Sequence, residues 1–210
     1  MRLRITFSKT AHMRYTGHLD LYRAWERLMR RADLPLAYTQ GFSPHPRINL
    51  ASALPLGFTG EAEVVDVWLD IDLPLEVITA AMQQTAPPGL DIRLVEAIDE
   101  SAPTLQTILE ASEFIITLLE NFPDLEERVA MILHTSEIRR ERRGKAYDLR
   151  PLLLGLEVLS ADESARQRLS CRLAAREGAT GRPEELLSAL GIDPLTARVH
   201  RIRLILTDSL

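Results

Sequence analysis

A single cysteine, Cys171, is present among the 210 residues. That scarcity excludes an intramolecular disulfide, a CxxC pair and an iron–sulfur cluster held by this chain's own cysteines. Long apolar runs are missing too: none approaches the roughly 18 residues that cross a bilayer. The opening Met1-Arg2-Leu3-Arg4-Ile5-Thr6-Phe7 lacks the apolar core of a secretion signal, so a cytoplasmic protein without membrane segments is expected. Nucleotide and hydrolase signatures are absent: no GxGxxG, no P-loop, no HExxH and no GxSxG. The spacings of His12, His18 and His45 match no standard zinc pattern, so neither metal nor other cofactor is expected. Low-complexity tracts do not occur, and the whole chain is expected to fold.

What is present is globular in composition, with 46% hydrophobic and 26% charged residues. The net charge of -5 hides a polarity. Residues 1–50 hold nine Lys/Arg against Asp20, Glu26 and Asp33, a balance of +6 that leaves -11 for the remainder. A basic face suits phosphate contacts, and an acidic protein also carries such a face without any partner.

Arg2–Ser8 alternates Leu3, Ile5 and Phe7 with polar neighbours, the period of a half-buried strand. Thr16 or Gly17 caps a helix to about Ala32, with Leu21, Ala24, Trp25 and Leu28 on one stripe and Arg23, Arg27 and Arg30 on the other. A Gly/Pro loop over 38–46 precedes a short strand at 47–51. Residues 63–71 form a strand that sets Val65, Val67, Leu69 and Ile71 opposite Val64, Asp66, Trp68 and Asp70, Pro74 opens a helix to about Thr85, and the alternate residues Leu90, Ile92 and Leu94 mark a fourth strand. This βαββαβ order is the ferredoxin-like order. It repeats as strand 111–119, helix 123–134, strands 136–143 and 166–174, helix 183–190 and strand 196–207, with 148–163 unassigned. The expected fold is therefore α+β, two tandem ferredoxin-like halves over 1–101 and 102–210, joined near Ala102-Pro103-Thr104. Cys171, between Leu169 and Leu173, reads as an apolar filler, and Leu125, Val129 and Ile132 as core.

Candidate chemistry concentrates between His12 and Arg47. Arginine supplies a bidentate fork for phosphate, histidine a tunable donor and an aromatic ring a stacking plane. Arg14, Arg23, Arg27, Arg30 and Arg47 are the candidate phosphate contacts, and His18, Phe42 and His45 the candidates for a base or a partner. The plain alternatives stand beside them: a histidine that caps a turn, a rigid residue between prolines, a solvated helix face. The basic run from Arg139 to Lys145 suits phosphate tracking or a protected strand edge.

Arg14-Tyr15-Thr16-Gly17-His18-Leu19-Asp20-Leu21, Arg30-Arg31-Ala32-Asp33-Leu34-Pro35, Gly41-Phe42-Ser43-Pro44-His45-Pro46-Arg47-Ile48 and Leu54-Pro55-Leu56-Gly57 resemble, in this order and spacing, the family of uncharacterised radical-SAM-linked proteins. The likeness covers residues 1 to about 72, with a later echo at Asp148-Leu149-Arg150-Pro151. Its motif positions fall on Arg14, His18, Asp20, Gly41, Phe42, Pro44, Pro46, Arg47, Pro55 and Gly57; Thr16 stands where the family usually has Ser. The resemblance implies a radical-SAM enzyme as partner, with the chemistry in that partner. In architecture alone, the tandem halves also resemble CRISPR repeat-processing endoribonucleases.

Three functions follow as expectations. The first is a non-catalytic module that binds structured RNA for a radical-SAM enzyme. The second is a metal-independent endoribonuclease using His18 or His45 for proton transfer and Arg14 or Arg47 for charge stabilisation. The third is a protein-docking module whose 41–57 segment meets the radical-SAM partner without nucleic acid.

Overall fold

The computed structural model describes residues 1–142 and 144–207. It is α+β, with five α-helices among the described residues, and its contacts divide into two compact units: Met1–Ile108 together with Thr207, and Leu109–Leu206.

The first unit runs β1 (Arg2–Lys9), α1 (His18–Arg31), β2 (Ile48–Leu50), β3 (Thr59–Trp68), α2 (Leu75–Thr85), β4 (Leu90–Ile98) and α3 (Leu105–Ile108). Its strands lie in the order β2-β3-β1-β4, every pairing antiparallel. The alternation in β1 sends Leu3, Ile5 and Phe7 to a face fully withdrawn from water. There they meet the stripe Leu21, Trp25, Leu28 and Met29 of α1, spaced to share one side of a helix. The rings of Phe7 and Trp25 pack edge to face with centroids 5.0 Å apart. Ile78 and Met82 of α2 complete this core. Burying each such side chain contributes about 1.5–3 kcal/mol.

Two details differ from the sequence pattern. The expected inward trio of β4 is Leu90, Ile92 and Leu94, yet Leu94 is half exposed and Val95 is buried. Phe7 pairs with Ile92 while Thr6 pairs with Leu94, so one extra residue enters β4 and the facing parity inverts. Ile71, expected to continue the inward set of β3, lies beyond the strand and is exposed.

The second face of this sheet carries Arg2, Arg4, Asp66 and Trp68. Asp66 is wholly buried and accepts from Arg2 (Nη2, 2.6 Å) and Arg4 (Nε, 2.9 Å). The Arg2 guanidinium also donates to the carbonyls of Ala102 and Pro103. Gln106 donates to Asn49 Oδ1 and to the Leu50 carbonyl, each at 2.9 Å. The segment leading into α3 is thereby bonded to strands of the first unit.

The second unit runs β5 (Leu109–Leu118), α4 (Leu125–His134), β6 (Arg139–Arg142), β7 (Lys145–Asp148), β8 (Leu153–Leu159), β9 (Arg168–Arg176), β10 (Ala179–Thr180), α5 (Pro183–Ala189) and β11 (Ala197–Leu206). β9 lies between β5 and an edge shared by β8 and β10, and β5 lies between β9 and β11, all antiparallel. Phe114, Ile116 and Leu118 of β5 and Leu169, Cys171 and Leu173 of β9 are buried, as are Leu125, Val129 and Ile132 of α4.

The expected sheet strand over 136–143 is corrected here. Among the described residues, which exclude Arg143, Arg139–Arg142 pairs only with β7, as a separate two-stranded ribbon closed at its base by Asp148, whose Oδ1 accepts from Ile138 N at 2.7 Å. Four consecutive charged residues offer no apolar side to a core. The place beside β9 goes to β8, inside the stretch left unassigned, where Leu153 and Leu156 are buried.

Candidate functional site

The sequence-predicted residues cluster around α1 and the loop that follows it. Gly17 is the N-cap of α1 in extended geometry, and no side chain caps the helix, so the Thr16 hydroxyl does not serve there. The turn before α1 is fastened to the turn at 55–57: Gly57 N donates to the Arg14 carbonyl at 2.9 Å. Fully buried Lys9 donates to that same carbonyl and to Phe58 O, at 3.4 and 3.1 Å. These bonds fix where Arg14 and His18 leave the backbone. His18 is exposed at the first position of α1, and the Arg14 guanidinium makes no ion pair with a described residue.

Along α1 the three arginines are exposed but differently engaged. Arg23 meets Asp20 at 3.4 Å, Arg30 meets Glu26 at 2.7 Å, and Arg27 has no ion pair among the described residues. Pairs of this kind contribute about 0–1 kcal/mol, so they restrain the two guanidinium groups only weakly.

The 38–46 loop is a built hairpin-like arch. Tyr38 and Pro46 form an isolated bridge. Thr39 N donates to the His45 carbonyl, and His45 N returns a bond to Thr39 Oγ1. Two bonds tie the arch to α1: Tyr22 Oη donates to the Pro46 carbonyl at 2.8 Å, and Arg30 Nη2 donates to Tyr38 Oη at 3.3 Å. Burial, followed by the charge of Glu26, raises the Tyr22 pKa, so its phenol stays protonated as the donor to Pro46. At the tip, Gly41 takes φ +128°, a conformation glycine supplies without strain, and Phe42 beside it is entirely exposed. Tyr15, Leu19 and Leu56 are also exposed, at 80%, 72% and 63%.

Arg47 departs from this group. Its guanidinium lies 4.7 Å from the Trp68 ring centroid, and that of Arg2 lies 4.8 Å from the same ring. Arg2 and Trp68 are paired residues of β1 and β3 whose alternation places them opposite Leu3 and Val67. Arg47 therefore stacks on the sheet face away from α1, whereas Arg23, Arg27 and Arg30 project from α1 itself.

Sequence reasoning missed two charged constellations in the second unit. Glu113 accepts from Arg172 (Nε, 2.8 Å) and Arg203 (Nε, 2.6 Å), and these bonds, Arg203 first, hold its carboxyl below the usual range. Arg142 is forked onto Glu185 at 3.0 and 2.7 Å beside Tyr147. The partners lie 43 to 90 positions apart, and no local spacing announces them. Among the described residues, no three His, Cys, Asp or Glu side chains gather to hold a metal ion, and no helix is long and apolar enough to cross a membrane.

No curated protein matches the chain in sequence. In fold it is similar to a chain of a solved Cbf5-Nop10-Gar1 complex, with TM-score 0.52 and 12% identity over 98% of this chain and 50% of that one. A chain of an archaeal box H/ACA sRNP Nop10-Cbf5 complex aligns at TM-score 0.47 and 12% identity, over 99% and 49%. The chain thus spans about half the length of the solved chains it resembles, and at this identity the first likeness is one of fold alone. Residues 2–183 match the family described as "Uncharacterized protein conserved in bacteria (DUF2344)", and the chain belongs to that family.

Proposed function

We propose that this chain is a non-catalytic accessory module that binds structured RNA and presents it to a radical-SAM enzyme in the cytoplasm. The observation that carries the RNA reading is the α1 surface: exposed arginines held by weak ion pairs or none, and an arch bonded to α1 that lifts a bare Phe42 into solvent. Cations for the backbone and an uncovered ring for a base are the two parts single-stranded segments of RNA require. Arg14, Arg23, Arg27 and Arg30 hold phosphates; His18, Phe42 and His45 meet a base or the partner protein. Arg47 serves from the opposite sheet face or through its stack on Trp68.

The tandem ferredoxin-like reading is supported by the strand orders. β2-β3-β1-β4 in the first unit has its counterpart in β8-β9-β5-β11 in the second, with the β6–β7 ribbon and β10 as additions. The solved chain of similar fold comes from a complex of Cbf5, Nop10 and Gar1. The radical-SAM partnership rests on the motif resemblance between Arg14 and Gly57.

A general base is ordinarily oriented by a third group. The imidazoles of His18 and His45 have no hydrogen-bond partner among the described residues, which favours contact over proton transfer and the binding module over the endoribonuclease. The protein-docking reading gains from one observation, the exposure of Tyr15, Leu19 and Leu56 near the start of α1. Salt separates the two. Total cellular RNA is titrated onto the full chain at two salt concentrations, with Arg23→Ala/Arg27→Ala/Arg30→Ala and Phe42→Ala alongside. RNA binding requires affinity that falls with salt at a slope of about 0.7 per phosphate contact, lessened in the triple variant. Absence of binding at low salt sinks the RNA role and leaves the docking role.

A further inference from the structure

The ribbon β6–β7 is fastened to β10 and α5 through its arginines. Arg142 is immobilised: beyond its fork onto Glu185, Nη2 donates to the Thr180 carbonyl at 3.0 Å, and its guanidinium carbon lies 4.9 Å from the Tyr147 ring centroid. Arg140 Nε reaches the Glu185 carbonyl at 3.3 Å. These contacts tie the ribbon to β10 and α5 and leave between them a cleft of about 500 Å³, lined by Arg142, Lys145, Tyr147, Gly178, Thr180 and Arg182 among others. That size suits a small ligand.

The charges of the lining are all of one sign. Glu185 compensates Arg142, whereas Lys145 and Arg182 are exposed and form no ion pair with a described residue. No carboxylate of a described residue lines the cleft. Burial, then Glu185, pushes the Tyr147 phenol up to about 12, so it adds no negative charge at neutral pH. Gly178 sits at φ +72°, and a Cβ there would meet nothing within 4 Å, so that wall is open. A mobile ammonium, a planar fork and an immobilised guanidinium facing one space are the donor set for a tetrahedral oxyanion.

We propose that this cleft is a phosphate site, in which Lys145 and Arg182 make the charged contacts and Arg142, held by Glu185, is the fixed wall. The ligand chemistry is a phosphate group, carried either as a terminal monoester or as an internal phosphodiester of an oligonucleotide. The site lies wholly in the second unit and does not depend on the α1 surface.

The test is NMR of the full ¹⁵N-labelled chain, with the backbone amides of Gly178 and Thr180 as reporters. The probes are inorganic phosphate, a 5′-phosphorylated hexauridylate and the same oligomer without the 5′-phosphate. The expected result is saturable shifts at both amides. Affinity falls about tenfold or more in Lys145→Ala/Arg182→Ala, a loss of about 1.4 kcal/mol, and is unchanged in Arg93→Ala, an exposed arginine of β4 outside both surfaces. Preference for the 5′-phosphorylated oligomer identifies the monoester, and equal affinity the phosphodiester. Both substituted side chains are exposed, so the variant keeps its fold. Absent shifts, or shifts that survive the double substitution, overturn the proposal.

Discussion

Asp66→Ala tests the buried charge cluster of the first unit. The carboxylate is wholly buried and accepts four bonds: Arg2 Nε and Nη2 at 3.2 and 2.6 Å, and Arg4 Nε and Nη2 at 2.9 and 3.0 Å. Removing one partner of a buried ion pair costs about 3–5 kcal/mol, because the remaining charge stays desolvated. Arg2, only 2% exposed, keeps its bonds to the Ala102 and Pro103 carbonyls and its stack on Trp68, which sets the expectation near the lower end, about 3 kcal/mol. For a chain of this length each kcal/mol shifts Tm by about 2–4 °C, so calorimetry should register a loss of roughly 6–12 °C. The companion variant Arg2→Met/Arg4→Met/Asp66→Leu removes both the charges and the carboxylate, and should recover most of that loss. A drop below about 2 °C in the single variant, or no recovery in the triple variant, refutes the account of a desolvated charge cluster.

Gly89 combines φ +93° with a Cβ position 2.9 Å from Met13 Cγ and His12 Cβ, so Gly89→Ala should cost about 1–3 kcal/mol in denaturant unfolding; a neutral result contradicts the close approach. The Glu113 carboxyl is held below its ordinary pKa by Arg203 and then Arg172. Its stabilising contribution is therefore fully present above the unfolded-state value, and disappears as pH falls through the lower folded value. Glu113→Gln should flatten the acid limb of the stability–pH curve, and an unchanged limb counts against the pairing. Cys171, 1% exposed and with its thiol pushed up to about 12 by burial, should resist alkylation at pH 8 until denaturant unfolds the chain; rapid native labelling disproves its burial.

Much of the first unit is legible in the chain because its alternations are strict. Leu3, Ile5 and Phe7, and Val65 and Val67, read as inward-facing and are. The reading fails at Leu94, since a bulge of one residue inverts facing without any mark in composition. It fails at 136–143 because strand propensity does not say which partner a strand takes: the charged β6 has no apolar side, and the Leu-rich β8 competes better for β9. For the site, the turn residues Gly41 and Gly57 and the exposed arginines follow from local chemistry. The arch bond from Tyr22 to Pro46, the stack of Arg47 on Trp68 and the Arg142–Glu185 fork do not, because each joins residues more than twenty positions apart.

The basic residues of this chain are arginines almost throughout, and only two are lysines, Lys9 and Lys145. Lys9 is sealed beneath the turn before α1 with its ammonium on backbone carbonyls, while Lys145 stands exposed at the mouth of the second-unit cleft. An amine-acylating reagent consequently meets one lysine side chain on the native fold. Once reaction at the α-amino group of Met1 is blocked or subtracted, a fluorophore or cross-linker on Lys145 has a defined address without engineering a cysteine, and its rate of attachment gauges access to that cleft.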